Sequence, residues 1–196
     1  MKLEDYKNLT GEFKIPETSK TWRLYAAGLE NLKLEDVPVP APDDDELLVR
    51  VDAVGICASD CKMISQGEAH ARVKGKDLAT DPAVPGHEVS LTVVGIGAAL
   101  KGKYGLGERY TVQAEIYYKG ENLAYGYKLS GADQQYQTIG PIIHDQGYLL
   151  PVDASLGYSQ TAVAEPWACV YYAYEKHRST KGVLPGGTVW YIGAGP

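Results

Sequence analysis

Side chains that commonly bind metal ions stand at three turning points of the chain. Cys57 follows a β-branched run through a glycine turn, and His87 and Glu88 directly precede another such run. Glu165 begins a segment that reads as a helix. Thiolate, imidazole and carboxylate ligands together suit zinc, and three protein ligands leave a fourth position open for water or substrate. The pattern therefore predicts a catalytic zinc site.

Each of these residues also has a simpler explanation. A cysteine after a strand is commonly a buried core residue, Gly-His-Glu is commonly a surface turn, and Glu165 before Pro166 suits a first-turn carboxylate. Two other cysteines compete as ligands. Cys61 lies four residues after Cys57, and Cys169 lies four residues after Glu165, so each shares a helical face with its neighbour if the segment is helical. Buried packing is the alternative for both.

The segments that must position these residues are mostly β. Residues 46–54, 89–97 and 109–113 are runs rich in β-branched side chains, and glycine and proline interrupt them at short intervals. Short strands with dense turn signals predict a small barrel or sandwich.

The pattern changes after Ser155. Pro166 suits a first helical turn, and residues 167–176 contain neither glycine nor proline, so we expect a helix there. Residues 188–192 then form an apolar, β-rich run that leads into Gly193-Ala194-Gly195-Pro196, as at the opening of a dinucleotide-binding unit. We therefore expect a catalytic domain over residues 1–180 and the start of a truncated Rossmann domain over residues 181–196. A last strand without its crossover helix indicates a fragment of a longer protein.

Composition narrows the class of protein. The formal net charge of −6 leaves no basic footprint, so nucleic acid is not an expected partner. The chain contains no apolar run near the ~20 residues of a membrane span and no signal-peptide pattern at its start. Its three cysteines are too few for a disulfide framework. We expect a cytoplasmic protein without a membrane partner.

The order of these features resembles the zinc-dependent medium-chain dehydrogenase/reductase family, in its sorbitol, threonine and polyol dehydrogenase branch. The resemblance covers nearly the whole chain, and residues 38–51 are similar to the family's proline-rich start and first long strand. The matching motifs are Gly55 to Asp60 for Gly-x-Cys-x-Ser-Asp, Pro85 to Glu88 for Gly-His-Glu, Gly107 to Tyr110 for Gly-Asp-Arg-Val, Glu165-Pro166 for Glu-Pro, and Gly193 to Pro196 for the start of the nucleotide fingerprint. The implied fold is mainly β with helices: a GroES-like barrel as the catalytic domain.

The resemblance also implies a ligand set. Cys57 and His87 would be two zinc ligands. Glu88 would be a third ligand or a carboxylate behind the ligands, and Glu165 stands where the family places a Glu or Cys ligand, binding directly or through water.

Further roles follow from the same resemblance. Ser59 would carry the proton of the alcohol to a relay, and Asp60 would orient His87 through its other ring nitrogen. The start of the binding site for NAD or NADP would comprise Gly193, Gly195 and Pro196. The implied reaction is hydride transfer between an alcohol or polyol, including a sugar phosphate, and NAD(P), in an oligomer of identical subunits.

The chain departs from the family pattern at several points. Leu91 stands where Gly-His-Glu-x-x-Gly has its last glycine. The family's structural zinc is bound by four closely spaced cysteines after the Gly-Asp-Arg-Val region, but residues 114–137 of this chain contain no cysteine. We therefore expect one catalytic zinc and no structural zinc. The segment between Cys57 and His87 looks longer than usual and carries the basic residues His70, Arg72, Lys74 and Lys76. A phosphorylated sugar substrate and a solvated loop explain these basic residues equally well.

Two other functions fit parts of the pattern. One is a zinc-free reductase of the same superfamily, against which the retained Cys57, His87 and Glu165 argue. The other is a GroES-like module that binds a partner without catalysing a reaction. The chain lacks a complete dinucleotide domain, and we therefore expect it to be inactive in hydride transfer on its own.

Overall fold

The computed structural model describes residues 13–153, 155–178, 185–188 and 190. The strands in this part of the chain are β1 (Thr18–Leu24), β2 (Leu32–Pro38), β3 (Leu47–Gly55), β4 (Glu88–Ile96), β5 (Arg109–Val112), β6 (Tyr117–Tyr118), β7 (Glu121–Asn122), β8 (Tyr136–Ile139) and β9 (Leu149–Pro151). The helices are α1 (Ala58–Gln66), α2 (Pro141–His144), α3 (Tyr158–Ala162) and α4 (Ala164–Arg178), with short 3-10 turns at Leu29–Asn31, Gly67–Ala69, Ala71–Val73 and Ala98–Leu100. The predicted mainly β fold class is confirmed.

The chain divides into two compact units, residues 1–165 and residues 166–196. The first unit contains all the strands named above together with α1, α2 and α3. The second contains α4 from Pro166 onward. The predicted domain boundary at residue 180 and most of the predicted strand at residues 188–192 lie outside the described residues. The start of a Rossmann domain therefore stays a prediction.

A five-stranded antiparallel sheet, in the order β8-β3-β4-β5-β9, forms the centre of the first unit. Its middle strand β4 is buried from Glu88 through Val94, as expected for a strand with neighbours on both sides. The three strands predicted from β-branched runs all occur, with ends shifted by one residue. Two irregularities in the β3–β4 register, between Leu48 and Val49 and between Val51 and Ala53, bend the pair.

Leu91 lies in the middle of β4 and explains one departure from the family motif. It is fully buried and stands between Val51 on β3 and Tyr110 on β5. The main hydrophobic core gathers around it and includes Val49, Val93 and Ile139. A glycine here would leave a void in a close-packed interior, and the leucine side chain therefore fills the core.

A second hydrophobic cluster packs α1 and the segment before β4 against the lobe formed by residues 117–136. This stretch is rich in tyrosine, with Tyr117, Tyr118, Tyr125, Tyr127 and Tyr136. Its buried members are Leu24, Met63, Val73, Leu78, Ala83, Ala124 and Tyr127. Tyr125, two residues before Tyr127, is buried in the main core, where its hydroxyl accepts a hydrogen bond from Gln137. Packing and hydrogen bonds of tyrosines thus hold this lobe, and the second cluster fixes the C-terminal part of α1 behind the candidate site.

Candidate active site

The antiparallel register of β3 and β4 brings two distant sequence motifs together. Gly55, the last residue of β3, pairs with Glu88, the first residue of β4. Cys57 stands two residues beyond the end of β3, and His87 stands one residue before β4. Neighbouring antiparallel strands place the end of one beside the start of the next. The two motifs therefore meet at one edge of the sheet.

The described residues bring together Cys57, His87 and Glu88 as a group of three potential metal ligands. One ligand atom from each, the Cys57 Sγ, a His87 ring nitrogen and a Glu88 carboxylate oxygen, lie within 4.8 Å of one another. His87 and Glu88 are buried, and Cys57 is partly buried. Thiolate, imidazole and carboxylate at this spacing fit a zinc ion.

Both competing cysteines are exposed. Cys61 is exposed on α1 and does not belong to the group of three ligands. Cys169 is exposed on the part of α4 that belongs to the second unit.

Two glycines make room for this group. A Cβ at Gly55 would overlap the Glu88 carboxylate. Gly86 has φ of 88°, in the region that favours glycine, and a Cβ there would lie 2.7 Å from Oδ1 of Asp133. Any larger residue at either position displaces a carboxylate or strains the turn that presents His87.

Asp60 connects the two halves of the site. Its Oδ2 accepts a hydrogen bond from the backbone N–H of Cys57 at 2.8 Å, which caps the N-terminus of α1. Its Oδ1 lies 3.1 Å from Nδ1 of His87. Both side chains are buried. The pairing occupies Nδ1 and leaves Nε2 as the ring nitrogen of His87 that faces the remaining site residues.

Ser59 lies between two of the potential ligand atoms, Sγ of Cys57 and Nε2 of His87. Its hydroxyl donates to Sγ of Cys57 at 3.1 Å, and its Oγ is 3.3 Å from Nε2 of His87. The serine hydroxyl therefore stands beside the atoms that would bind a metal, where it can pass a proton.

The electrostatic field at His87 favours positive charge. Burial lowers the pKa of His87, but the hydrogen bond and charge of Asp60, with the charge of Glu165 and a hydrogen bond to Cys57, raise it to about 9. Burial also raises the pKa of Glu88, and Cys57 and His87 oppose that rise. The carboxylates of Asp60, Glu88 and Glu165 act together on this site, and a cation would be stabilised by their charge.

Glu165 occupies the first turn of α4 and acts on the site through its charge, which raises the pKa of both His87 and Glu88. The segment before it is held by Arg109 on β5. The guanidinium of Arg109 donates to the carbonyl oxygen of Leu156 and, at 3.1 Å, to the hydroxyl of Thr161. The segment that precedes Glu165 is thus held by a strand about fifty residues upstream.

Two residues near the site were not predicted from the sequence. The ring of Tyr127 lies 5.7 Å from the ring of His87, between centroids. Asp133 is partly buried, and burial with the nearby charge of Asp60 raises its pKa to about 6, while His87 opposes the rise. In the sequence, Tyr127 is marked only by the tyrosine-rich stretch to which it belongs, and no sequence pattern marks Asp133 as a site residue.

The predicted cofactor residues Gly193, Gly195 and Pro196 lie outside the described residues. None of the described helices has the length and apolar character that crossing a membrane requires.

The model of the alcohol dehydrogenase GroES-like domain matches residues 43–171, and the chain belongs to this family. It is 30% identical to the L-sorbose 1-phosphate reductase of Klebsiella pneumoniae, over 92% of this chain and 46% of that protein. It is 26% identical to the sorbitol dehydrogenase of Bacillus subtilis, over 93% of this chain and 51% of that protein. Both relatives agree with the polyol branch of the zinc-dependent medium-chain dehydrogenase/reductase family.

The fold also matches solved structures. Acetophenone reductase from Geotrichum candidum, solved in complex with NAD, superimposes with a TM-score of 0.66 at 26% identity, over 84% of this chain and 49% of that one. The expected GroES-like fold is therefore confirmed. The chain spans about half the length of the curated relatives that it matches.

Proposed function

We propose that the full-length protein carrying this chain is a zinc-dependent oxidoreductase that transfers a hydride between an alcohol or polyol and NAD(P). The observation that carries the proposal is the group of Cys57, His87 and Glu88, with Asp60 hydrogen-bonded behind His87. The names of the two relatives support a polyol or ketose substrate. The NAD complex of the structural neighbour supports the nicotinamide cofactor.

The residues divide the work between binding and proton transfer. Cys57 and His87 would hold the metal through Sγ and Nε2, and Glu88 or Glu165 would complete the ligand set. When bound, zinc would supply Lewis-acid chemistry, lowering the pKa of an alcohol or polarising a carbonyl. Asp60 would keep the His87 ring oriented and favour a positive charge next to Nε2, the ring nitrogen opposite Asp60.

Ser59 would handle the proton. In the oxidative direction the C–H and O–H bonds of the alcohol break and a C=O double bond forms. The nicotinamide, when bound, would accept the hydride, and the proton would leave through the Ser59 hydroxyl, which lies between Cys57 and His87. In the reductive direction the same hydroxyl would return a proton to the new alcohol. The cofactor supplies the redox chemistry, and the protein positions the reacting groups.

Zinc content tests the ligand assignment. Cys57→Ser and His87→Ala variants of the full-length protein, purified without chelator, should lose zinc and nearly all reduction of NAD(P) by polyols. Cys61→Ser is the matched control, because Cys61 is exposed on the same helix, and it should keep both. Circular dichroism verifies that the variants fold. Full zinc occupancy in both ligand variants would refute the assignment, and an active wild-type protein without zinc would support the zinc-free reductase instead.

A further inference from the structure

The basic residues between α1 and β4 fall into different environments. Nζ of Lys76 forms an ion pair with Asp81 at 3.0 Å. His70 and Arg72 instead share contact with one aromatic ring. The His70 ring stacks on Tyr127, with 5.4 Å between centroids and 13° between planes, and Cζ of Arg72 lies 5.0 Å from the centroid of the same ring.

Tyr127 links this pair to the candidate metal site. Its ring is 1% exposed and packs in the second hydrophobic cluster, which fixes its position. Its ring also lies 5.7 Å from the ring of His87. His70 and Arg72 therefore contact the same aromatic ring as His87, a proposed zinc ligand.

The surrounding contacts orient both side chains. The guanidinium of Arg72 pairs with Glu115, and Glu115 in turn accepts a hydrogen bond from Nδ2 of Asn122 at 3.1 Å. The backbone N–H of Arg72 donates to Nδ1 of His70 at 3.3 Å. With Nδ1 as the acceptor, a neutral His70 carries its proton on Nε2 and presents it as a donor.

The charge near His70 is positive. Burial lowers the pKa of His70, and the charges of Arg72 and Lys62 lower it further. The positive charges of Arg72 and Lys62, which add to the effect of burial, are ones that an anion would complement. A phosphate at Arg72 would share the guanidinium with Glu115, in a pair whose side chains are 38% and 36% exposed and which therefore contributes only about 0–1 kcal/mol.

We propose that Arg72 and His70 form the phosphate-binding subsite for a polyol or ketose monophosphate. A planar guanidinium with five N–H donors matches the geometry of phosphate oxygens, and the imidazole Nε2–H adds a further donor. In this proposal the reacting carbon would lie at the metal site and the phosphate at Arg72, two positions that both adjoin Tyr127. The inference rests on the proposed function, of which it names the substrate class.

Paired substrates test the subsite in the full-length protein. The ratio of kcat/KM for a hexitol monophosphate to kcat/KM for the free hexitol is measured in wild type, Arg72→Gln and Lys76→Gln. We expect the ratio to fall about 10- to 100-fold in Arg72→Gln, the loss typical of a charge-assisted hydrogen bond. Lys76→Gln, which leaves the contacts of His70 and Arg72 with Tyr127 in place, should leave the ratio within about two-fold. Arg72→Lys should restore part of the ratio, since it keeps the charge but not the fork of donors.

A binding measurement separates this proposal from the proposed function. Calorimetric titration of the same proteins with hexitol monophosphate, without cofactor, should show weaker binding in Arg72→Gln than in wild type. An unchanged ratio, or equal losses on both substrates, would overturn the phosphate subsite while leaving the oxidoreductase intact. Phosphate-dependent binding through Arg72 without any turnover of polyols would overturn the proposed function and leave the subsite standing.

Discussion

Asp60 and His87 form a buried hydrogen-bonded pair, with 3.1 Å between Oδ1 and Nδ1, while the other oxygen of the same carboxylate caps the helix that begins at Cys57. One side chain therefore sets both the imidazole orientation and the backbone that carries the thiol. Such carboxylates behind a histidine ligand fix its tautomer and increase its basicity.

Asp60→Asn should lower zinc affinity about 10- to 100-fold with little loss of fold. The amide has a single acceptor oxygen, so it can serve the His87 ring or the Cys57 N–H, but not both. Competition with a chelator measures the dissociation constant for zinc. Asp81→Asn, whose carboxylate pairs with Lys76, is the control and should bind zinc like the wild type. Equal zinc affinity in Asp60→Asn and the control would contradict the bridging role.

Glu88→Gln should weaken zinc binding more than Glu165→Gln. A carboxylate oxygen of Glu88 belongs to the group of atoms within 4.8 Å of one another, whereas Glu165 acts on His87 and Glu88 through its charge. The same chelator competition ranks the two variants. The opposite order would make Glu165 the third ligand and Glu88 the carboxylate behind it.

Asp133→Asn should change the pH dependence of stability. The pKa of Asp133 is raised to about 6 in the folded protein, against 3.8 ordinarily, so the folded state holds the proton more tightly than the unfolded chain. The free energy of unfolding of the wild type therefore falls as pH rises through this window. Relative to wild type, Asp133→Asn should gain roughly 2–3 kcal/mol between about pH 4 and pH 7.

Urea unfolding of the metal-free proteins at several pH values measures this gain. Comparing the variant with wild type at each pH cancels the groups that titrate in both. A stability difference that stays constant from pH 4 to pH 7 would show that Asp133 ionises normally.

Leu91→Ala should destabilise the protein by about 2–5 kcal/mol, because it leaves a cavity at the centre of the main core. Leu29→Ala is the matched control: Leu29 is 72% exposed, and its loss should cost less than about 0.5 kcal/mol. Urea unfolding reports both values. A similar loss in the two variants would contradict the place of Leu91 in the core.

The sequence predicted the three strands β3, β4 and β5, whose segments are rich in β-branched side chains, and it missed the other described strands, β1 among them. In β1 the buried positions include Ser19 and Thr21, while Trp22 is 40% exposed. This strand therefore inverts the hydrophobic alternation on which a strand prediction depends. Its pairing with β2 comes from backbone hydrogen bonds between segments that show little periodicity.

The candidate site was predictable in its parts and not in its surroundings. Cys57, His87 and Glu88 flank strands, and their motifs are local in sequence, so their types could be read directly. Tyr127 and Asp133 reach His87 from about forty residues away in the sequence. Contacts of that kind depend on strand register and lobe packing, which no local pattern records. The ligand roles of Cys57, His87, Glu88 and Glu165 stay predictions.

Arg109 is a position at which a substitution could influence the site without changing a proposed ligand. Its hydrogen bonds to Leu156 and Thr161 hold the segment that precedes Glu165, although Arg109 is far from the proposed ligands in sequence. Libraries of variants that change only the residues around the reacting groups would not include Arg109 or the segment that it holds. We expect substitutions on β5 and α3 to move the segment before Glu165 while the contacts of Cys57 with Ser59 and of His87 with Asp60 stay in place. The position of this carboxylate could then be varied separately from the loading of the metal.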